Sequence, residues 1–125
     1  MAQDGNLAGR VALVTGAAGG IGSAVSRLFA AQGAHLALLD VTPPDALAAE
    51  LGPRCLALAG DVTKRQAAAN AVARAVAAFG RLDILVNVAG IVSFGPAATL
   101  DEAEWNRVID TNLKGTFLFC QAAIP

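Results

Sequence analysis

Residues 10–40, RVALVTGAAGGIGSAVSRLFAAQGAHLALLD, decide how this chain folds. Val11–Val14 is a short apolar run of the kind that forms a strand buried on both faces. A glycine-rich turn follows, Thr15-Gly16-Ala17-Ala18-Gly19-Gly20-Ile21-Gly22. Ile21, Ala24, Val25, Leu28 and Phe29 then recur at helical spacing, which predicts a helix laying that stripe on a sheet. Gly33 suits the helix stop. Leu36–Leu39 reads as a second apolar strand, with Asp40 at its carboxyl end.

The glycines divide the work of that turn. Gly16 permits a tight exit from the strand, Gly20 leaves backbone open to a closely approaching pyrophosphate, and Gly22 lets the helix lie near the strand. The helix N-terminus presents unpaired N–H groups and a partial positive charge to an anion. Asp40 is placed to accept hydrogen bonds from a ribose diol. Three glycines alone fit many α/β turns; joined to an acid ending the next strand they form a dinucleotide-binding pattern.

Bulk composition narrows the classes. At 125 residues the chain is one domain at most by length. Hydrophobic content of 55% against 15% charged residues argues against disorder. A net charge of −1 without a basic cluster argues against nucleic acid and anionic membranes as partners. No apolar run reaches transmembrane length, and MAQDGNLAGR has no signal-peptide pattern, so a cytoplasmic protein is expected. Cys55 and Cys120 share no metal or redox spacing and are expected to be buried free thiols. His35, the single histidine, opens the second strand, and no metal site is expected.

The rest of the chain continues the alternation. Met1–Gly9 is polar and expected to be loose. After Pro43-Pro44, Asp45 is expected to cap a short helix, Ala46–Leu51, and Cys55–Ala59 is a third strand. Thr63 is expected to cap a helix over Lys64–Phe79, burying Ala69, Val72, Ala73, Val76 and Phe79, with Gly80 closing it. Leu82–Val88 is a fourth strand, and Ile91–Ala98, holding Gly95-Pro96, is loop. Thr99 and Glu102 fit a capping box for a helix running through Leu100–Ile124, with Trp105, Val108, Ile109 and Asn112 on one stripe. The fold class is then α/β, a doubly wound parallel sheet of order 3-2-1-4, with the fourth strand at an exposed apolar edge.

Four of these stretches carry a resemblance. The glycine spacing is Thr-Gly-x-x-x-Gly-x-Gly; Asp61-Val62 follows the third strand; Asn87-Val88-Ala89-Gly90 ends the fourth; and Trp105, Val108, Asn112, Gly115, Thr116 and Phe117 form one helical run. Together they resemble the classical short-chain dehydrogenase/reductase family, in its N-terminal half, from about Leu7 to the last residue. The resemblance implies a Rossmann-type NAD(P)-binding domain over residues 1–125, truncated before the family's catalytic Ser/Tyr/Lys segment, with the later strands absent.

It further implies cofactor contacts at Gly16, Ala18, Gly19, Gly20, Ile21, Gly22, Asp40, Val41, Asp61, Val62, Asn87, Ala89 and Gly90. In the family, the residue at Asp61 accepts from the adenine amino group and that at Val62 covers a ring edge. The turn at Asn87–Gly90 passes the nicotinamide-side ribose; Val88 replaces the family's second Asn. Asn112 matches the catalytic Asn, which holds an ordered water in a proton relay; the simpler role is a structural Asn that kinks its helix. The loop Ile91–Ala98 borders the family's substrate pocket, and the helix over 100–124 packs on a partner, implying a homo-oligomer.

The implied activity is hydride transfer between NAD(H) and a secondary alcohol or ketone. NAD is expected over NADP because Asp40 repels a 2′-phosphate and no Lys or Arg stands in Ala17–Gly20 or Val41–Pro44. Against catalysis by this chain alone, it contains no tyrosine and its last lysine is Lys114. A positioned acid/base is worth about 10²–10⁴ in rate. The alternative is an inactive truncated chain that binds cofactor or pairs with another subunit. A sugar epimerase or methyltransferase fold is a third reading, disfavoured by Asn87–Gly90 together with Asn112–Phe117.

Overall fold

The computed structural model describes residues 5–125, so the expectation for Met1–Asp4 lies outside the described residues. Four parallel strands, β1 (Val11–Thr15), β2 (His35–Asp40), β3 (Cys55–Ala59) and β4 (Ile84–Asn87), lie in the order β3-β2-β1-β4. This is the α/β parallel sheet and strand order expected from the sequence. The register places Thr15 opposite Leu39 on one side and Asn87 on the other, so three strands end level at one edge.

Of helices α1 (Gly20–Ala31), α2 (Asp45–Leu51), α3 (Arg65–Phe79), α4 (Glu102–Ile109) and α5 (Gly115–Ala123), all but α4 pack on the sheet. Alternate strand residues face opposite layers, as the pleat requires. Leu13, Ala37 and Leu39 pack with Ala68, Ala71 and Ala75 of α3 and Leu118 and Phe119 of α5. Ala12, Val14, Leu36 and Leu38 face the other layer, with Phe29 of α1 and Leu47 of α2. Every residue of β1 is buried, whereas those of edge strand β4 are half-buried. The chain runs β1–β2–β3 to one side and returns to β4 on the other, which opens a crevice between the β1 and β4 loops.

Several local expectations are corrected. In α1 the inward face is Gly22 and Ser26; Ile21, at 72% exposure, Ala24 and Leu28 point outward. Close approach of helix to sheet selects small residues, and the buried Ser26 hydroxyl is satisfied by donating to Gly22 O at 2.7 Å. In α3 the buried face is Ala68, Ala71 and Ala75, while Ala69, Ala73 and Val76 are exposed. An alanine-rich run offers apolar residues at almost every angle, so its periodicity points to no single face.

Thr63 does not cap α3: its hydroxyl donates to Asp61 Oδ1 at 2.8 Å, and Lys64 takes the N-cap position. Asp45 is the first residue of α2, after Pro44. Thr99 sits in a 3₁₀ turn, Ala97–Thr99, donating to Pro96 O, and α4 starts after Asp101. The single helix expected over Leu100–Ile124 is interrupted: α4 and α5 are joined by a π-helical turn, Asp110–Lys114. Cys55 and Cys120 are half-buried rather than buried. Residues 5–9 are less loose than expected, because Leu7 packs on the core and its N–H donates to Gln32 O at 3.0 Å.

Candidate functional site

The glycine turn is built by contacts that only backbone tolerates. Gly16 has φ +63°, and a Cβ there would lie 2.8 Å from Ala89 N. A Cβ at Gly22 would run into the Gly16 carbonyl, with the carbonyl carbon at 2.8 Å. Gly20 differs: a Cβ there meets no protein atom within 4 Å. Protein packing therefore explains the glycines at 16 and 22, and leaves the space over Gly20 free. Gly19 is the N-cap of α1, whose first turn carries no acidic residue. The first N–H groups of that helix lack intrahelical acceptors and form the positive end of its dipole, with no acidic side chain in the first turn to offset it.

Asp40, at the end of β2, reaches back to this turn. Its Oδ2 accepts from Ala18 N–H at 3.0 Å and its Oδ1 from Val41 N–H at 2.8 Å. The β4 loop is tied to the same edge by Thr15, whose buried hydroxyl accepts from Val88 N–H at 3.1 Å and Ala89 N–H at 3.2 Å. Asn112, in the π turn, holds the next residue from both sides. Its Oδ1 accepts from Ile91 N–H and its Nδ2 donates to Ile91 O, each at 2.8 Å. A Cβ at Gly90 would press on Asn112 Oδ1 at 3.2 Å.

Between the two loops lies an open cleft of about 470 Å³. Gly16, Gly19, Gly20 and Ile21 line one wall, Val88–Ile91 the other, and Asp40 and Val41 the end. Eight of the expected residues thus meet at one cleft: Gly16, Gly19, Gly20, Ile21, Asp40, Val41, Ala89 and Gly90. Ala18 is joined to it through Asp40. Gly22 lies outside the lining and lets the helix pack against the Gly16 backbone, as its expected part in the turn requires.

The remaining expected residues lie outside that lining. Asn87 is half-buried and donates to Cys120 Sγ at 3.5 Å. Val62 is buried, its Cγ2 2.9 Å from where a Cβ on Gly115 would stand, so α5 is seated directly on it. Asp61 is exposed, and hydrogen bonds from the Thr63 backbone, then its hydroxyl, hold its carboxyl below the usual carboxylate range. Val88 and Ile91 of the lining, and Thr15 beneath it, are the site residues that sequence reading missed. A hydroxyl ending an apolar strand just before the glycine turn was the available signal for Thr15. For Asn112 the structural reading, a side chain that bonds backbone where its helix is interrupted, is what the structure shows, and only its partner Ile91, 21 residues away, had no signal.

A four-stranded parallel sheet whose crevice is walled by a glycine turn, with a carboxylate at the rim, defines a nucleotide-cofactor type of α/β protein. Comparison narrows the class. The family model described as short chain dehydrogenase matches residues 10–125, and the chain belongs to that family. It is 47% identical to D-threitol dehydrogenase of Mycolicibacterium smegmatis, over 95% of this chain and 48% of that protein. It is 40% identical to NAD-dependent glycerol dehydrogenase of Listeria innocua, over 95% and 48%. Among solved structures, a glucose/ribitol-type short-chain dehydrogenase/reductase from Brucella melitensis superposes with a TM-score of 0.90. Its identity is 41%, covering 94% of this chain and 49% of that one. A 3-ketoacyl-(acyl-carrier-protein) reductase of Brucella melitensis, complexed with NADH, gives 0.89 at 33% identity, over 94% and 49%. The chain spans about half the length of the curated relatives it matches. Among the described residues no helix is long and apolar enough to cross a membrane, and no cluster of three metal-ligating side chains occurs.

Proposed function

We propose that residues 1–125 are the cofactor half of a cytoplasmic NAD-dependent dehydrogenase that interconverts a secondary alcohol and a ketone. The observation that carries this reading is the carboxylate of Asp40, held at the rim of the 470 Å³ cleft by the Ala18 N–H, with no Lys or Arg in the lining. The donor set fits a dinucleotide. The N–H groups at the start of α1 would meet its pyrophosphate, Asp40 its ribose diol, and Asp61 and Val62 its adenine. Ala89 and Gly90 would pass its second ribose. Bound NAD supplies the hydride acceptor. The chain's own residues orient it and hold the β4 loop in place.

Asn112 is assigned the family's catalytic position. Both polar atoms of its side chain are committed to Ile91. Its main-chain carbonyl accepts from Thr116 Oγ1 at 2.9 Å, and an ordered water in the family's relay would be the second donor to that oxygen. The chain has no tyrosine, so the family's proton donor is not among these residues. Two relatives named for polyols support a small polyol as substrate. Trp105, Leu113 and Phe117, all exposed along α4–α5, support homo-oligomer contacts there. The test is calorimetric titration of NAD and NADP against the native-length protein and its Asp40→Ala variant. Unchanged NAD affinity in the variant would sink the reading.

A further inference from the structure

A second cleft, of about 320 Å³, adjoins the Asp40 rim. Ala18, whose N–H binds Asp40, lines it together with Ser23 and Arg27 of α1 and Asp45 and Glu50 of α2. A 2′-phosphate on a ribose held by Asp40 would project from this rim. Arg27 is the only cation among the residues lining the cleft, and it is the group that would attract such a phosphate. It is already engaged: Nε donates to Glu50 Oε2 at 2.7 Å and NH2 to Glu50 Oε1 at 3.0 Å, a bidentate fork. With Asp45 alongside, the cleft carries two carboxylates against one guanidinium.

We propose that Glu50 is a positioning residue for cofactor selectivity, acting through Arg27: it holds the guanidinium against α2 and so withholds it from a 2′-phosphate at the ribose rim. This rests on Asp40 binding the ribose, as proposed above. Rejection of NADP then has two layers, a repelling carboxylate at Asp40 and an arginine kept occupied by Glu50. Both side chains of the pair are about half exposed, so separating them leaves the core intact.

The experiment measures NADP and NAD dissociation constants on the native-length protein, with thermal melting to confirm folding of each variant. The variants are Asp40→Ala, Asp40→Ala with Glu50→Gln, and both of those with Arg27→Gln added. Glu50→Gln is expected to tighten NADP about tenfold over Asp40→Ala when Arg27 is present, and to leave it unchanged when Arg27 is Gln. An equal gain in both backgrounds would mean that only the lost negative charge matters, and would overturn the role of Arg27. No gain in either would overturn the proposal while NAD binding by the parent protein stood. Absence of NAD binding by the parent would instead overturn the cofactor reading beneath it. Should the Gln variants melt early, Glu50→Ala gives the same comparison, since Ala favours the α2 helix.

Discussion

Asp40 and Asp83 stand at opposite ends of the same sheet and make the same first bond. Asp40 Oδ2 accepts from Ala18 N–H, and Asp83 Oδ2 from Val11 N–H at 2.9 Å. Their surroundings differ. Asp83 Oδ1 also accepts from Arg81, through Nε at 3.0 Å and NH2 at 2.6 Å, and Arg10 stands 3.7 Å away. Those cations neutralise it, at the N-terminal edge where it anchors β1 to β4. Asp40 has only neutral backbone donors, and it faces the cleft at the carboxyl edge, where ligands of open α/β sheets bind. A carboxylate's role is thus set by its countercharge and by the sheet edge it occupies more than by its own hydrogen bond.

The largest test of this contrast concerns the turn that supplies Asp40 with its donor. Gly22→Ala should cost about 3 kcal/mol, the upper part of the usual overpacking range, because the new methyl meets backbone. Gly20→Ala should leave stability within about 1 kcal/mol, the scale of helix propensity, while weakening NAD. Denaturant melts and NAD titration separate the two, and equal destabilisation would break the division of labour between these glycines. Next, Asp40→Ala should weaken NAD by about 1.5–3 kcal/mol with little change in stability, whereas Asp83→Ala should lower stability and spare NAD. If Asp83→Ala weakened NAD as much, the contrast between the two ends would fail.

Thr15→Val should cost about 1–3 kcal/mol, because it strands the Val88 and Ala89 N–H groups, measured by urea denaturation. The smallest effect is on pH. The hydrogen bond from Arg81, then that from Val11, lowers the Asp83 pKa below 3.8. A folded pKa below the unfolded one means stability that is present above about pH 4 and lost as pH falls through the folded value. Asp83→Asn should flatten the acid limb of a urea-midpoint profile; an unchanged slope would remove Asp83 from the acid response.

Legibility varied with the sequence distance over which a feature is built. The strands, the glycine turn and the position of Asp40 were readable because each rests on a few consecutive residues. The expected caps at Thr63 and Thr99 fail because the helices begin later, with Lys64 and Asp101 in the N-cap positions, so neither hydroxyl stands where it could accept a first-turn N–H. The inward faces of α1 and α3 were misread because close packing against the sheet favoured glycine, serine and alanine over larger apolar residues. The break at Asp110–Lys114 left no mark in the periodicity.

The sequence by itself determined the four strands, the glycine turn and the acid ending β2, because period and glycine spacing are local constraints. The order β3-β2-β1-β4 was legible only through the family resemblance, since β1 and β4 pair across some 72 residues. Only the tertiary structure decided that Asn112 spends its side chain on Ile91, that Thr15 ties down the β4 loop, and that Arg27 is held by Glu50. These are bonds between residues 21, 73 and 23 positions apart. Each depends on which helix packs beside which strand, and the packed backbone settles that.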